Sequence, residues 1–201
     1  MIHFKAIAKI MGDLLVLIAL FMLHGIGFSL YYEEDPWPVL TSSVIAMIIG
    51  AILFLSFSKQ DQNIRKREGY LIVSISWLVM AGCGMLPYIL SNEITGFADA
   101  LFETMSGLTT TGASILTDIE AMPKGLLFWR SMTQWIGGLG IIVLTVAIFP
   151  LLGIGGIELF VAESPGPTSD KVHPRISETA KRLWYVYVGL TLAAMLMYWA
   201  G

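Results

Sequence analysis

Charge is scarce in this chain. Of its 201 residues, 13% are charged against 56% hydrophobic, and the mean hydropathy is +0.74. Soluble domains carry about 25% charged residues, so a surface that faces water on every side is excluded. A formal net charge of −3 leaves no electrostatic footprint for nucleic acid. The single cysteine, Cys83, excludes an intrachain disulfide and a four-cysteine metal site, and it reads as a small apolar residue inside a helix. His3, His24 and His173 fall in three separate regions and make no metal pattern. Without a converging His, Asp or Glu cluster, a membrane enzyme acting on quinones or lipids has no candidate site, and the chain is expected not to be an enzyme.

What the sequence does have is long apolar blocks. A hydrocarbon core of about 30 Å needs roughly 20 helical residues. Ile10 to Leu30, Val39 to Phe57, Tyr70 to Leu90 and Leu126 to Leu152 meet that length, and Leu183 to Trp199 is a shorter fifth. The first block lacks a clean cleavage site and is interrupted by Asp13 and His24, so it reads as a retained anchor. Those two residues lie on roughly one face and are expected to bond between helices. The class that follows is an all-α integral membrane protein.

Basic residues orient the spans. With the N-terminus cytoplasmic, Lys5, Lys9, Lys59, Arg65, Lys66, Arg67, Lys171, Arg175, Lys181 and Arg182 lie inside, which leaves Lys124 and Arg130 of the twelve outside. Glu33, Glu34, Asp35, Glu93, Asp118 and Glu120 collect on the outer side.

The segment from Ser91 to Gly125 is too polar to cross. Within it Phe97, Leu101, Met105 and Leu108 recur at helical spacing, and Asp99 and Glu103 share another side. This predicts a short helix ending at Gly107, followed at once by Thr109-Thr110-Thr111-Gly112-Ala113-Ser114. Its flanking spans are antiparallel, so both ends return to one side. Irregular backbone at membrane depth is tolerated only inside protein or along a watery cavity, which makes the segment a re-entrant pore loop. Such a loop suits a cation, whose hydration shell rows of backbone carbonyls can replace. Thr110-Thr111-Gly112-Ala113-Ser114 shares the first threonine and first glycine of the potassium filter T-V-G-Y-G and lacks its second glycine. Taken in isolation, the same residues would be an ordinary Thr/Gly turn. Gly112 can adopt backbone angles closed to other residues, and the negative end of the preceding helix favours a cation. The candidate filter carbonyls are those of Thr110, Thr111, Gly112 and Ala113, with the Thr110 hydroxyl as an added oxygen and Ser114 at the outer mouth.

Leu101-Phe102-Glu103 through Gly107-Leu108-Thr109-Thr110-Thr111-Gly112-Ala113-Ser114 resembles the first pore loop of the Trk/Ktr/HKT potassium-transporter superfamily, most closely its TrkH-like branch. Arg130-Ser131-Met132-Thr133-Gln134-Trp135-Ile136-Gly137-Gly138-Leu139-Gly140 is similar to the helix that follows it there. Ala162-Glu163-Ser164-Pro165-Gly166-Pro167 and Pro174-Arg175-Ile176-Ser177-Glu178-Thr179-Ala180 resemble the cytoplasmic link to a second repeat. The resemblance implies a helix–pore loop–helix (potassium-channel-like) repeat preceded by two transmembrane helices. It divides the chain into a peripheral helix pair (1–69), a first repeat (70–153), and a link with the first helix of a second repeat (154–201). Four such repeats surround the pore in the family, so the chain is expected to be a fragment supplying one of four filter loops. A homotetramer of a short subunit and a non-conducting assembly module are the alternatives.

The resemblance further implies potassium as the transported ion, held at Thr110, Thr111 and Gly112. It implies passive flow gated from inside, with coupling to protons or sodium left open. A serine in place of the filter glycine goes with sodium permeation in some members. It implies a bacterial inner (plasma) membrane location, a homodimer at full length, and a cytosolic nucleotide-binding regulatory ring (TrkA-like). The basic links Lys59 to Arg67 and Lys171 to Arg182 are candidate docking points for that ring.

Among supporting residues, Asp99 and Glu103 on the short helix are expected to brace the loop or pair with Arg130. The sharper role for Asp99 is to concentrate cations at the mouth. Gly137, Gly138 and Gly140 suit close helix packing. Gly153, Gly155 and Gly156, after Pro150, are expected to break a helix at the cytoplasmic surface. Trp77, Trp129, Trp184 and Trp199 near span ends suit an aromatic belt.

Overall fold

The computed structural model describes residues 4–57, 66–143 and 169–200, with side chains over 4–57, 68–140 and 178–200. The Ala162 to Pro167 stretch, the glycines after Pro150 and the end of the fourth predicted span lie outside the described residues. The chain divides into two compact units, Met1–Gly137 and Gly138–Gly201.

Apolar residues dominate α1 (Phe4–Tyr31), whose 28 residues extend about 42 Å at 1.5 Å each, enough to cross a bilayer at a tilt. It turns back through 32–36, where Glu33 adopts φ +57° and Asp35 Oδ1 accepts the Trp37 N–H at 3.0 Å. The next helix, α2 (Trp37–Ser56), opens with Pro38, where a missing N–H costs nothing. Its hydroxyls are absorbed by its own backbone: Thr41 donates to Trp37 O, Ser42 to Pro38 O and Ser43 to Leu40 O. Gly12 and Gly50 face each other where α1 and α2 cross. A Cβ on Gly12 would stand 2.6 Å from Phe54 N, and one on Gly50 would stand 2.9 Å from Val16 N. Backbone therefore meets backbone there, as small residues permit in membranes.

The third span is not one continuous rod. Helix α3 (Lys66–Gly84) gives way at Met85 to α4 (Leu86–Leu90). Pro87 brings no N–H and disfavours helical continuation across it. The Tyr88 and Ile89 N–H groups both reach Met85 O, at 3.1 and 3.3 Å, which leaves the Gly84 carbonyl without a helical partner. That carbonyl is taken up from another helix, as described below.

Helix α5 (Phe97–Leu108) is the short amphipathic helix read from the sequence, one residue longer than expected. A loop at 109–123 leads to α6 (Lys124–Val143). In the second unit α7 (Ser169–Ala200) begins well before the predicted span at Leu183. Its first turns run through polar sequence that includes Pro174, and no glycine follows before Gly189.

Among the described residues, four helical stretches are long and apolar enough to cross a membrane: Phe4–Tyr31, Trp37–Ser56, Glu68–Leu90 and Glu178–Ala200. The core of the first unit gathers where α1 to α4 and the first part of α6 surround α5. Met22 and Val39 meet Ala81 and Tyr88 there, together with Ala100, Leu108, Leu126 and Trp129. This is an all-α, multi-pass membrane protein in which a short helix and a loop return between longer helices.

Candidate functional site

The site is built on α5. Glu103 is 1% exposed and sits at the centre of a fan of donors. Arg130 Nε on α6 approaches Glu103 Oε1 at 2.6 Å. From the loop, Ser114 Oγ donates to the same carboxylate at 3.0 Å and Ile115 N donates to Oε2 at 3.0 Å. Ser114 Oγ in turn accepts Leu116 N at 3.1 Å. A buried carboxylate needs such partners to offset its lost hydration. Here those partners hold the outgoing loop strand alongside the helix that precedes it.

The turn between helix and strand is equally defined. Thr109 N bonds Met105 O at 2.8 Å and Thr110 N bonds Gly107 O at 2.9 Å. Thr111 N and Gly112 N both reach Ser106 O, at 2.9 and 3.3 Å. Carbonyls of the last helical turn have no intrahelical partners, and the loop N–H groups satisfy them. The reversal requires positive φ at Thr110 (+56°) and Gly112 (+75°). Thr109 and Thr111 share a hydroxyl–hydroxyl bond of 2.8 Å.

The consequence falls on the carbonyls. Among the described residues, the carbonyl oxygens of Thr110, Thr111 and Gly112 accept no hydrogen bond, and all three residues are exposed. Ala113 differs: its carbonyl accepts the Ser106 hydroxyl at 2.5 Å and is thereby turned toward α5. Thr110 makes no side-chain hydrogen bond among the described residues.

Two glycines let α6 come close behind this turn. A Cβ on Gly107 would run into Thr133 Oγ1, and one on Gly137 would run into the Leu108 carbonyl. Gln134 Nε2 is the nearest atom to a Cβ placed on Gly112, at 3.7 Å. Further along, the freed Gly84 carbonyl accepts Trp129 Nε1 at 2.8 Å. Trp129 is therefore a fully buried core residue that joins α6 to the α3–α4 break, not a belt residue at the membrane surface. Tyr88 is buried beside it, and its hydroxyl finds no partner among the described residues.

Asp99 lies apart from the Glu103 group. It is exposed in the first turn of α5, with its carboxylate folded back over Gly96, where the helix dipole favours an anion. Asp13 and His24 are also exposed, and His24 Nδ1 bonds Leu20 O of its own helix at 3.0 Å, not a neighbouring helix. Ser106, Thr133 and Gln134 do not stand out as site residues in the sequence. A serine one residue before a glycine carries no signal of its own, and only the folded turn reveals its bonds.

The first two helices and the turn between them reach the same site. Glu34 accepts Lys124 N at 2.7 Å and Gly125 N at 3.1 Å, capping the start of α6. Phe28 stacks on Phe128 with ring centroids 4.2 Å apart, and Phe21 meets Trp135 edge-on at 5.8 Å.

Spanning helices that enclose a short helix and an irregular return loop define a helical, multi-pass membrane protein. The family model described as TrkH, "Cation transport protein", matches residues 38–201, and the chain belongs to this family. It is 44% identical over 200 residues to the Trk system potassium uptake protein TrkH of Escherichia coli K12, covering 98% of this chain and 41% of that protein. It is 37% identical over 199 residues to the Trk system potassium uptake protein TrkG of the same strain, covering 98% and 41%. The crystal structure of the potassium transporter TrkH from Vibrio parahaemolyticus superposes with a TM-score of 0.82 at 38% identity, over 100% of this chain and 40% of that one. The chain thus spans about two-fifths of the length of these relatives. The family is one of transporters, not enzymes.

Proposed function

We propose that this chain contributes a filter segment to a potassium-uptake protein, with the Thr110, Thr111 and Gly112 carbonyls as its ion ligands. The observation that carries the reading is the run of three exposed residues just beyond the C-terminal end of α5 whose carbonyls accept no hydrogen bond among the described residues. A potassium ion gives up water only for several oxygens at once, so this loop acts together with other filter segments around one axis. The negative end of the α5 dipole adds to the attraction. Ala113 closes the run, and Glu103, Ser114 and Arg130 hold it in place. Asp99, exposed at the other end of α5, raises the local cation concentration.

In this reading residues 1–69 form a peripheral pair, 70–153 the first repeat, and 154–201 a link and the first helix of the next. The protein lies in the bacterial inner membrane with its N-terminus in the cytoplasm, as its basic loops favour. The full-length protein works as a homodimer regulated by a cytosolic nucleotide-binding ring that docks on the basic cytoplasmic links.

The test is potassium uptake in a bacterial strain deficient in it, using the protein as cells make it and its Gly112→Ser variant. The expected result is rescue of growth at low potassium by the parent and a lower potassium-over-sodium ratio in the variant. A parent that rescues while the variant keeps its ratio would remove Gly112 from the filter. If the parent does not rescue although it reaches the membrane, the conducting role gives way to a non-conducting membrane module.

A further inference from the structure

Ser106 is 5% exposed, lies in the last turn of α5, and makes a set of bonds that no neighbouring residue matches. Its carbonyl receives the N–H groups of Thr111 and Gly112, and its hydroxyl donates to the carbonyl of Ala113 at 2.5 Å. Three consecutive loop residues are thus fixed by one side chain and its own backbone. We propose that Ser106 is a positioning residue that sets the register of the loop, so that its ion-facing carbonyl run ends at Gly112 and excludes Ala113. This rests on the filter reading of the loop given above.

The physical case follows from the bonds. Peptide planes of an irregular loop rotate easily when neither face is tied. Bonds from Thr111 N and Gly112 N to a common acceptor fix the planes on the amide side, and the carbonyls opposite them are left free. Gly112, at φ +75°, is the residue best able to swing. The Ser106 hydroxyl closes the strand just beyond it by holding Ala113 O. Without that bond the Ala113 peptide loses its tie to the end of α5 while Glu103 still holds Ser114 and Ile115, and the Ala113 carbonyl becomes a competing ligand. Ion discrimination depends on the number and placement of the coordinating oxygens, so this change is expected in selectivity and not only in stability.

The experiment measures the potassium-over-sodium uptake ratio of the full protein with Ser106→Ala, Ser106→Thr and Gly112→Ser, alongside Trp129→Phe. Ser106→Ala is expected to lower the ratio on the order of fivefold, the change one net hydrogen bond corresponds to. Ser106→Thr keeps the hydroxyl and is expected to keep the ratio. Trp129→Phe, which loses a hydrogen bond elsewhere in the repeat, is expected to reduce the folded amount and leave the ratio unchanged. An unchanged ratio in Ser106→Ala, with a lowered one in Gly112→Ser, overturns the inference and leaves the filter reading standing. If neither changes the ratio, the filter reading falls and the inference with it. Should Ser106→Ala fail to accumulate in the membrane, Ser106→Cys takes its place. A thiol is a poor donor, so a lowered ratio is expected there too, and a parental ratio overturns the proposal.

Discussion

Arg130 on α6 and Glu103 on α5 form an ion pair of 2.6 Å in which the glutamate side chain is fully buried and the arginine 14% exposed. Breaking a buried pair leaves an uncompensated charge and costs about 3–5 kcal/mol, whereas removing both partners costs far less. Glu103→Ala is therefore expected to be much less stable than the parent, and Glu103→Ala with Arg130→Ala is expected to recover part of the loss. Thermal unfolding in detergent micelles checks this. Simple additivity of the two single substitutions would show that the pair is not coupled.

Gly137→Ala is expected to destabilise by about 1–3 kcal/mol, the range of overpacking, because its Cβ meets the rigid Leu108 carbonyl. Gly82 supplies the control. A Cβ there has nothing within 4 Å, and Gly82→Ala in α3 is expected to be neutral or to stabilise by up to about 1 kcal/mol. The same unfolding measurement compares them, and equal effects would contradict the packing at Gly137.

Tyr88 and Trp129 are both buried aromatics with a polar tip, yet opposite outcomes are expected. Trp129→Phe orphans the Gly84 carbonyl at the α3–α4 break and is expected to cost about 1–3 kcal/mol. Tyr88→Phe removes a hydroxyl that has no partner among the described residues, and is expected to be neutral or stabilising. A large loss in Tyr88→Phe would mean that the hydroxyl is bonded in the membrane.

Glu34 caps α6 through Lys124 N and Gly125 N. Loss of a cap costs about 0.5–2 kcal/mol. Glu34→Ala is expected to speed hydrogen exchange at those two amides by an order of magnitude or so, with amides near the middle of α6 unaffected. Uniform acceleration along α6 would point to general unfolding instead of a lost cap.

Much of this was legible in the sequence because the membrane enforces it. Long apolar runs have to become helices there, so the first two spans and the short helix, expected to end at Gly107 and ending at Leu108, were readable from hydropathy and spacing alone. A pairing of Arg130 with a carboxylate of the short helix was readable too, because an arginine within a span needs one, but the choice of Glu103 over Asp99 was not. Tertiary bonds were not legible in that way. The Met85 break follows from Pro87, but hydropathy is blind to it. Trp129 looks like a belt residue until Gly84 frees a carbonyl for it. The bond from Ser106 to Ala113 depends on how the chain reverses at Thr110 and Gly112. No pattern of residue types predicts which way that carbonyl turns.

The seam between the first two helices and α6 bears on modularity. Because Glu34 holds the first amides of α6 and Phe28 lies flat on Phe128, the first two helices are structural lining for the loop-bearing part of the unit and not a removable accessory. An engineer seeking a smaller version of this unit could not simply trim the first two helices. The shortened chain would need a new acid before Lys124 and a new apolar cover for Phe128.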